Sequence, residues 1–168
     1  KIRLTKIKRN KFMRNIHDWN KEYGLYHKNR INKIIHWICI PLIIFSLFGL
    51  LSLMSYEFDI GEGHYKINTL GIFIILVLGY YLRLSKTLAL GMLIISLLFA
   101  GIIDFISLNS QSTLLYLYLG IFVLAWIGQF IGHKFEGKKP AFFKDLQFLL
   151  IGPLWLLSYI YDKLKIKI

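Results

Sequence analysis

Gln129, His133 and Glu136 stand at i, i+4 and i+7 near the end of an apolar run. On an α-helix that spacing puts an amide, an imidazole and a carboxylate on one face. Polar groups of this kind are costly near lipid, and where they occur there they mark functional sites. The plainer alternative is a solvated helix end whose polar side chains face water. Two further histidines, His27 and His36, lie nine residues apart. On one unbroken helix that separation is a rotation of roughly 180°, which would point them to opposite sides. Asn29 and Asn32 are good helix N-cap residues and supply a break between them. Asn32 and His36, four apart, then share a face. Three imidazoles meeting at one level beside Glu136 can hold a metal ion. Each histidine taken singly has the ordinary reading of an interfacial or hydrogen-bonded residue.

The elements that must bring these residues together are long hydrophobic blocks. The chain has 168 residues, of which 56% are hydrophobic, and the mean hydropathy is +0.55. Apolar residues arranged in blocks rather than stripes identify an integral membrane protein. The net charge of +12 would ordinarily suggest nucleic acid. With these blocks the expected partner is instead the anionic lipid headgroup, and no nucleic acid is expected. The single cysteine, Cys39, falls inside a predicted membrane segment and reads as a small core residue. No cleavable signal peptide is expected, because more than thirty N-terminal residues are polar and basic.

The fold class expected is all-α: an integral membrane helical bundle of about four transmembrane helices, an N-terminal interfacial helix and a C-terminal re-entrant or interfacial helix. It forms one domain over residues 1–168, with a basic tail at 1–10, an interfacial helix and break at 11–31 and the bundle at 32–161. Phe12, Ile16, Trp19 and Tyr23 recur at helical spacing and mark the interfacial helix. The spans are predicted near 32–55, with Pro41 kinking the helix, and near 67–82, 87–108 and 114–133. A loop rich in Gly and acid separates the first two, from Tyr56 to Lys66. A last apolar helix covers 141–161 and is interrupted at Gly152-Pro153, where it bends and re-enters; five full spans are the alternative.

Charge orders the bundle. The N-terminal region carries 11 Lys/Arg in residues 1–33. The 56–66 loop is acidic, Arg83 and Lys86 lie in the second link, and Lys134, Lys138, Lys139 and Lys144 follow the fourth span. Basic and non-basic loops alternate, so the N-terminus, the 83–86 link and the 134–140 turn are expected on the cytoplasmic side. His27, His36 and His133 then share one membrane level, while Glu62 and His64 fall on the opposite face.

Two stretches carry a family resemblance. Residues 27–41 read H-x4-N-x3-H-x4-P, and residues 129–141 read Q-F-x-G-H-x2-E-G-x2-P-A. Together with the number and spacing of hydrophobic blocks from about Asp18 to Tyr161, they resemble the small membrane proteins related to the fungal 2-hydroxy fatty acid dioxygenase. Cys39 stands where that family pattern has Gly. The resemblance implies an iron(II)-dependent dioxygenase that takes a long-chain 2-hydroxy fatty acid and O2, cleaves the C1–C2 bond and shortens the chain by one carbon. By position the Fe(2+) ligands would be His27, His36 and His133. Glu136, Gln129 and Asn32 would be extra ligands or the groups that orient the imidazoles. Lys134, Lys138 or Lys139 would draw the substrate carboxylate to the surface, and the acyl tail would lie between apolar helices. Such a protein sits in the bacterial inner membrane or the endoplasmic reticulum membrane, its site toward the cytoplasm. Two other classes compete: a non-catalytic membrane lipid-binding or scaffold protein, and a zinc-dependent membrane hydrolase.

Overall fold

The computed structural model describes residues 15–60, 63–109, 113–137 and 142–168. The expected basic tail at 1–10, Glu62, Lys138 and Lys139 lie outside the described residues. The chain forms α1 (Ile16–Tyr26), α2 (Arg30–Ser52), β1 (Ser55–Ile60), β2 (Gly63–Asn68), α3 (Thr69–Leu84), α4 (Lys86–Asn109), α5 (Leu114–Phe135) and α6 (Phe142–Lys163). Asn15 caps α1 through Asp18 N. Asn29 caps α2, its Oδ1 accepting from Ile31 N and Asn32 N. The predicted break therefore falls at 27–29, one step before Asn32, and Asn29 makes it.

By length and composition α2, α4 and α5 can each cross a membrane, which fits the expected helical membrane bundle. The fourth expected span, α3, is apolar but has 16 residues. At 1.5 Å per residue that is ~24 Å, short of a ~30 Å hydrocarbon core.

Two expectations are corrected. Residues 56–66 do not form a plain loop: β1 and β2 pair antiparallel, from Ser55 with Asn68 to Ile60 with Gly63. Tyr56, Phe58 and Ile60, answered by Tyr65 and Ile67, alternate with a period of two, and that pattern outweighs the acidic, glycine-bearing composition. The hairpin is a local addition to an otherwise helical chain. The second correction concerns Gly152-Pro153, where no reversal occurs: α6 runs on as one helix with Pro153 inside it. A helical proline removes one N–H and crowds the carbonyls one turn back. Tyr81 Oη donates to one of that turn's carbonyls, Leu150 O, at 2.7 Å, so a neighbouring helix helps satisfy backbone that the proline disturbs.

The core is built around the α2–α5 pair, which runs antiparallel. Small residues permit the approach. A Cβ at Gly132 would meet Asn32 Oδ1 at 2.6 Å, one at Gly128 would meet Cys39 Sγ at 2.6 Å, and one at Gly49 would collide with the Tyr118 ring. At the other end of the bundle Phe48, Leu70, Ile103, Leu114 and Tyr118 pack together. At the near end α1 rides on α6: Ile16 packs with Leu88, Leu154 and Leu157, and Tyr23 with Ile40, Ile151 and Leu156. Tyr161 Oη reaches Thr87 O at the start of α4. The second half of α6 thus lies at the bundle end that holds the starts of α2 and α4 and the end of α5.

Candidate metal centre

His27 terminates α1, taking φ −130° and ψ 68° as its cap. The chain turns through Lys28 and Asn29, and α2 then carries Asn32 and His36. This change of direction lets two histidines nine residues apart face each other: their Nε2 atoms lie 3.0 Å apart. From across the bundle α5 supplies His133, whose ring centroid is 5.0 Å from that of His36 and 5.6 Å from that of His27. Candidate ligand nitrogens from all three rings lie within 4.8 Å of one another. His27 and His36 are each 2% exposed.

The remaining ring nitrogens fix the tautomers. His27 Nδ1 lies 2.7 Å from Tyr23 O, and His36 Nδ1 lies 2.9 Å from Asn32 O. A carbonyl only accepts, so both Nδ1 atoms carry hydrogen and both Nε2 atoms turn lone pairs inward. Two neutral imidazoles so placed cannot hydrogen-bond to each other, and a proton or a metal cation between the nitrogens removes their repulsion. Imidazole nitrogens sharing a first-row metal ion at ~2.0–2.1 Å, with bond angles near 90–110°, would stand ~2.9–3.4 Å apart. The donor set therefore fits a metal ion, and the backbone carbonyls would be the outer partners that orient the imidazoles around it.

Glu136 has a different part from the one its spacing suggested. It caps α5, and its carboxylate accepts from Lys28 N at 2.7 Å, Asn29 N at 2.9 Å and Asn32 Nδ2 at 2.9 Å. Asn29 Nδ2 returns a bond to Phe135 O at 3.1 Å. Burial pushes the Glu136 carboxyl up, but the donors on Asn29, Asn32 and Lys28 outweigh it and bring it below its usual value. At neutral pH an ionised carboxylate thus ties the end of α5 to the break that positions His27. Glu136 does this through backbone and amide.

Of the other expected site residues, Asn32 is wholly buried and joins Glu136 to His36 through its amide and its carbonyl. Gln129 is 7% exposed and has no hydrogen-bond partner among the described residues. With the three histidines, Tyr23, Ile40 and Trp126 it lines a cavity of about 30 Å³. Lys134 is exposed on the last turn of α5, and it does not line that cavity. His64 belongs to β2, which follows the far end of α2. That 23-residue helix is ~34 Å long at 1.5 Å per residue.

Tyr23, expected only as a residue of the interfacial helix, also belongs to the site, and two glycines of α5 shape it. Tyr23 stacks on His27 with centroids 4.0 Å apart and planes 7° from parallel. Its spacing of four from His27 was the available signal. Gly128 and Gly132 form a small-x3-small pair of the kind that lets membrane helices meet closely.

The chain matches, over residues 13–164, the family model described as 2-hydroxy-palmitic acid dioxygenase Mpo1-like. It is 32% identical over 139 residues to the 2-hydroxy-palmitic acid dioxygenase MPO1 of Saccharomyces cerevisiae, an alignment that covers 80% of this chain and 73% of the yeast protein. No solved structure matches the chain.

Proposed function

The chain belongs to the Mpo1-like family, and from that premise we propose that it is an iron(II)-dependent dioxygenase of long-chain 2-hydroxy fatty acids. The substrate and O2 are converted to the acid one carbon shorter by cleavage of the C1–C2 bond. Written out, RCH(OH)COOH and O2 give RCOOH, carbon dioxide and water, so the substrate itself supplies the electrons. The yeast relative is named for 2-hydroxy-palmitic acid, which supports a 2-hydroxy acid here. The observation that carries the reading is the convergence of three imidazoles, with the Nε2 atoms of His27 and His36 3.0 Å apart beside His133.

His27, His36 and His133 would hold the iron. The ion, when bound, would supply the site at which O2 and the hydroxyl and carboxylate of a 2-hydroxy acid meet. Tyr23 O and Asn32 O fix the tautomer and the aim of the His27 and His36 imidazoles. Glu136 holds the 27–29 turn against α5. Gln129, buried on the cavity wall, offers its amide N–H to a substrate oxygen. Lys134, with Lys138 and Lys139, attracts the carboxylate at the membrane surface. The basic ends of the helices orient the site to the cytoplasm of an inner or endoplasmic reticulum membrane.

The test is oxygen uptake by the purified, iron-loaded protein in detergent. We expect uptake with 2-hydroxypalmitate, appearance of the acid shortened by one carbon, no uptake with palmitate, and loss of the activity in His133→Ala. A well-folded, iron-loaded protein that consumes no oxygen with any long-chain 2-hydroxy acid would refute the proposal.

A further inference from the structure

The histidine cavity, at about 30 Å³, admits the polar end of a fatty acid and little more, so the tail must go elsewhere. Ile40 lines this cavity and also a second one, of about 110 Å³, between α2, α4 and α6. The second cavity shares Ile44, Met92 and Pro153 with a third, of about 30 Å³, that continues to Phe48. His36, Ile40 and Ile44 are four residues apart in turn and occupy one face of α2. That face therefore presents a metal ligand, a partition and an apolar groove in succession. From His36 to Phe48 the helix rises ~18 Å at 1.5 Å per residue. One leaflet of a ~30 Å hydrocarbon core, which an acyl tail spans, is of the same order.

The partition is a single aliphatic side chain. Ile40 packs directly on the bare backbone of Gly152, where a Cβ would come within 3.1 Å of Ile40 Cδ1. The far wall is different in kind. Phe99 is braced edge-on by Phe45 at 5.5 Å and Phe48 at 6.4 Å. Met92, buried on the same face of α4, is an adaptable filler.

Resting on the proposed activity, we infer that the substrate's acyl tail passes Ile40 into the α2–α4–α6 groove, where Met92 and Phe99 set the chain length accepted. The occupant is the tail of the 2-hydroxy acid rather than bilayer lipid, because the groove begins at the residue that also walls the histidine cavity.

The test is photo-crosslinking of the iron-loaded protein with a 2-hydroxy fatty acid carrying a diazirine near its methyl end. Labelling is expected on peptides containing Ile44, Met92 or Phe99, displaced by 2-hydroxypalmitate. Met92→Trp should cut turnover of 2-hydroxypalmitate relative to a shorter 2-hydroxy acid by roughly tenfold or more, the effect of one methylene that a hydrophobic pocket refuses. Met92→Ala should move the preference the other way. Displaceable labelling confined to the outer faces of α3 or α5 would overturn the tail site and leave the dioxygenase reading standing. Groove labelling that 2-hydroxypalmitate does not displace would mean ordinary lipid and would also overturn it. No labelling on any peptide, from a folded and iron-loaded protein, would sink both.

Discussion

Removing the Glu136 carboxylate should loosen the metal without unfolding the bundle. Glu136→Ala deprives three donors of their acceptor: Lys28 N, Asn29 N and Asn32 Nδ2. The first is exposed, so water replaces the carboxylate there at little cost. The other two bonds are part-buried. Hydrogen bonds to charged groups are worth ~1.5–3 kcal/mol each net of water, giving ~3–6 kcal/mol for the pair. Only the share of this that the metal-bound turn needs beyond the metal-free one reaches the affinity; about half, ~1.5–3 kcal/mol, is ~10–160-fold. That range also matches the usual effect of losing an outer partner of a metal ligand. Glu136→Gln keeps one accepting oxygen but turns an NH2 toward a donor, so its loss should be intermediate. The assay is competition for iron(II) against a chromogenic chelator in detergent, with circular dichroism as the fold check. Affinity within about threefold of wild type in a folded Glu136→Ala protein would refute the reasoning, since twofold to threefold is ~0.4–0.65 kcal/mol.

Gly132→Ala puts a methyl against Asn32 Oδ1 at 2.6 Å and His36 Cε1 at 3.5 Å. It should cost ~1–3 kcal/mol by overpacking and weaken metal binding, whereas Gly120→Ala, inside α5 with nothing within 4 Å, should leave the unfolding temperature unchanged or raise it by the equivalent of ~0.4–1 kcal/mol. Tyr81→Phe removes the donor to Leu150 O and should lower stability by ~1–3 kcal/mol, read as a drop in unfolding temperature in detergent. If Gln129 contacts the substrate as proposed, Gln129→Leu should keep metal content and raise KM for the 2-hydroxy acid; unchanged KM would take Gln129 out of the site.

The chemistry was more legible than the architecture around it. A rotation argument on His27 and His36 required a break, and Asn29 is a strong cap, so their approach could be read from spacing alone. Charge alternation put His133 at the same level from a distant part of the chain. What spacing did not reveal was the direction of each hydrogen bond. Glu136 lies one turn beyond His133, yet a chain reversal brings the amides of Lys28 and Asn29 to it first. The continuity of α6 was hidden for a related reason: Gly152-Pro153 predicts a bend from local energetics, while Tyr81, seventy residues earlier, helps meet the backbone's need from another helix. In the 56–66 segment, acidic and glycine content masked a short period-two pattern. Gly128 and Gly132 look like ordinary membrane-helix glycines until Asn32 and Cys39 are known to lie opposite them.

The central claim is that His27, His36 and His133 hold one iron ion at which a 2-hydroxy acid meets O2. Metal content of the purified protein, measured by mass spectrometry alongside its histidine variants, tests it most directly. The account predicts one iron per chain, lost in His27→Ala, His36→Ala and His133→Ala and kept in His64→Ala, all four variants still folding. Stoichiometric zinc, no stoichiometric metal, or a His133→Ala protein with its full complement of iron would contradict it.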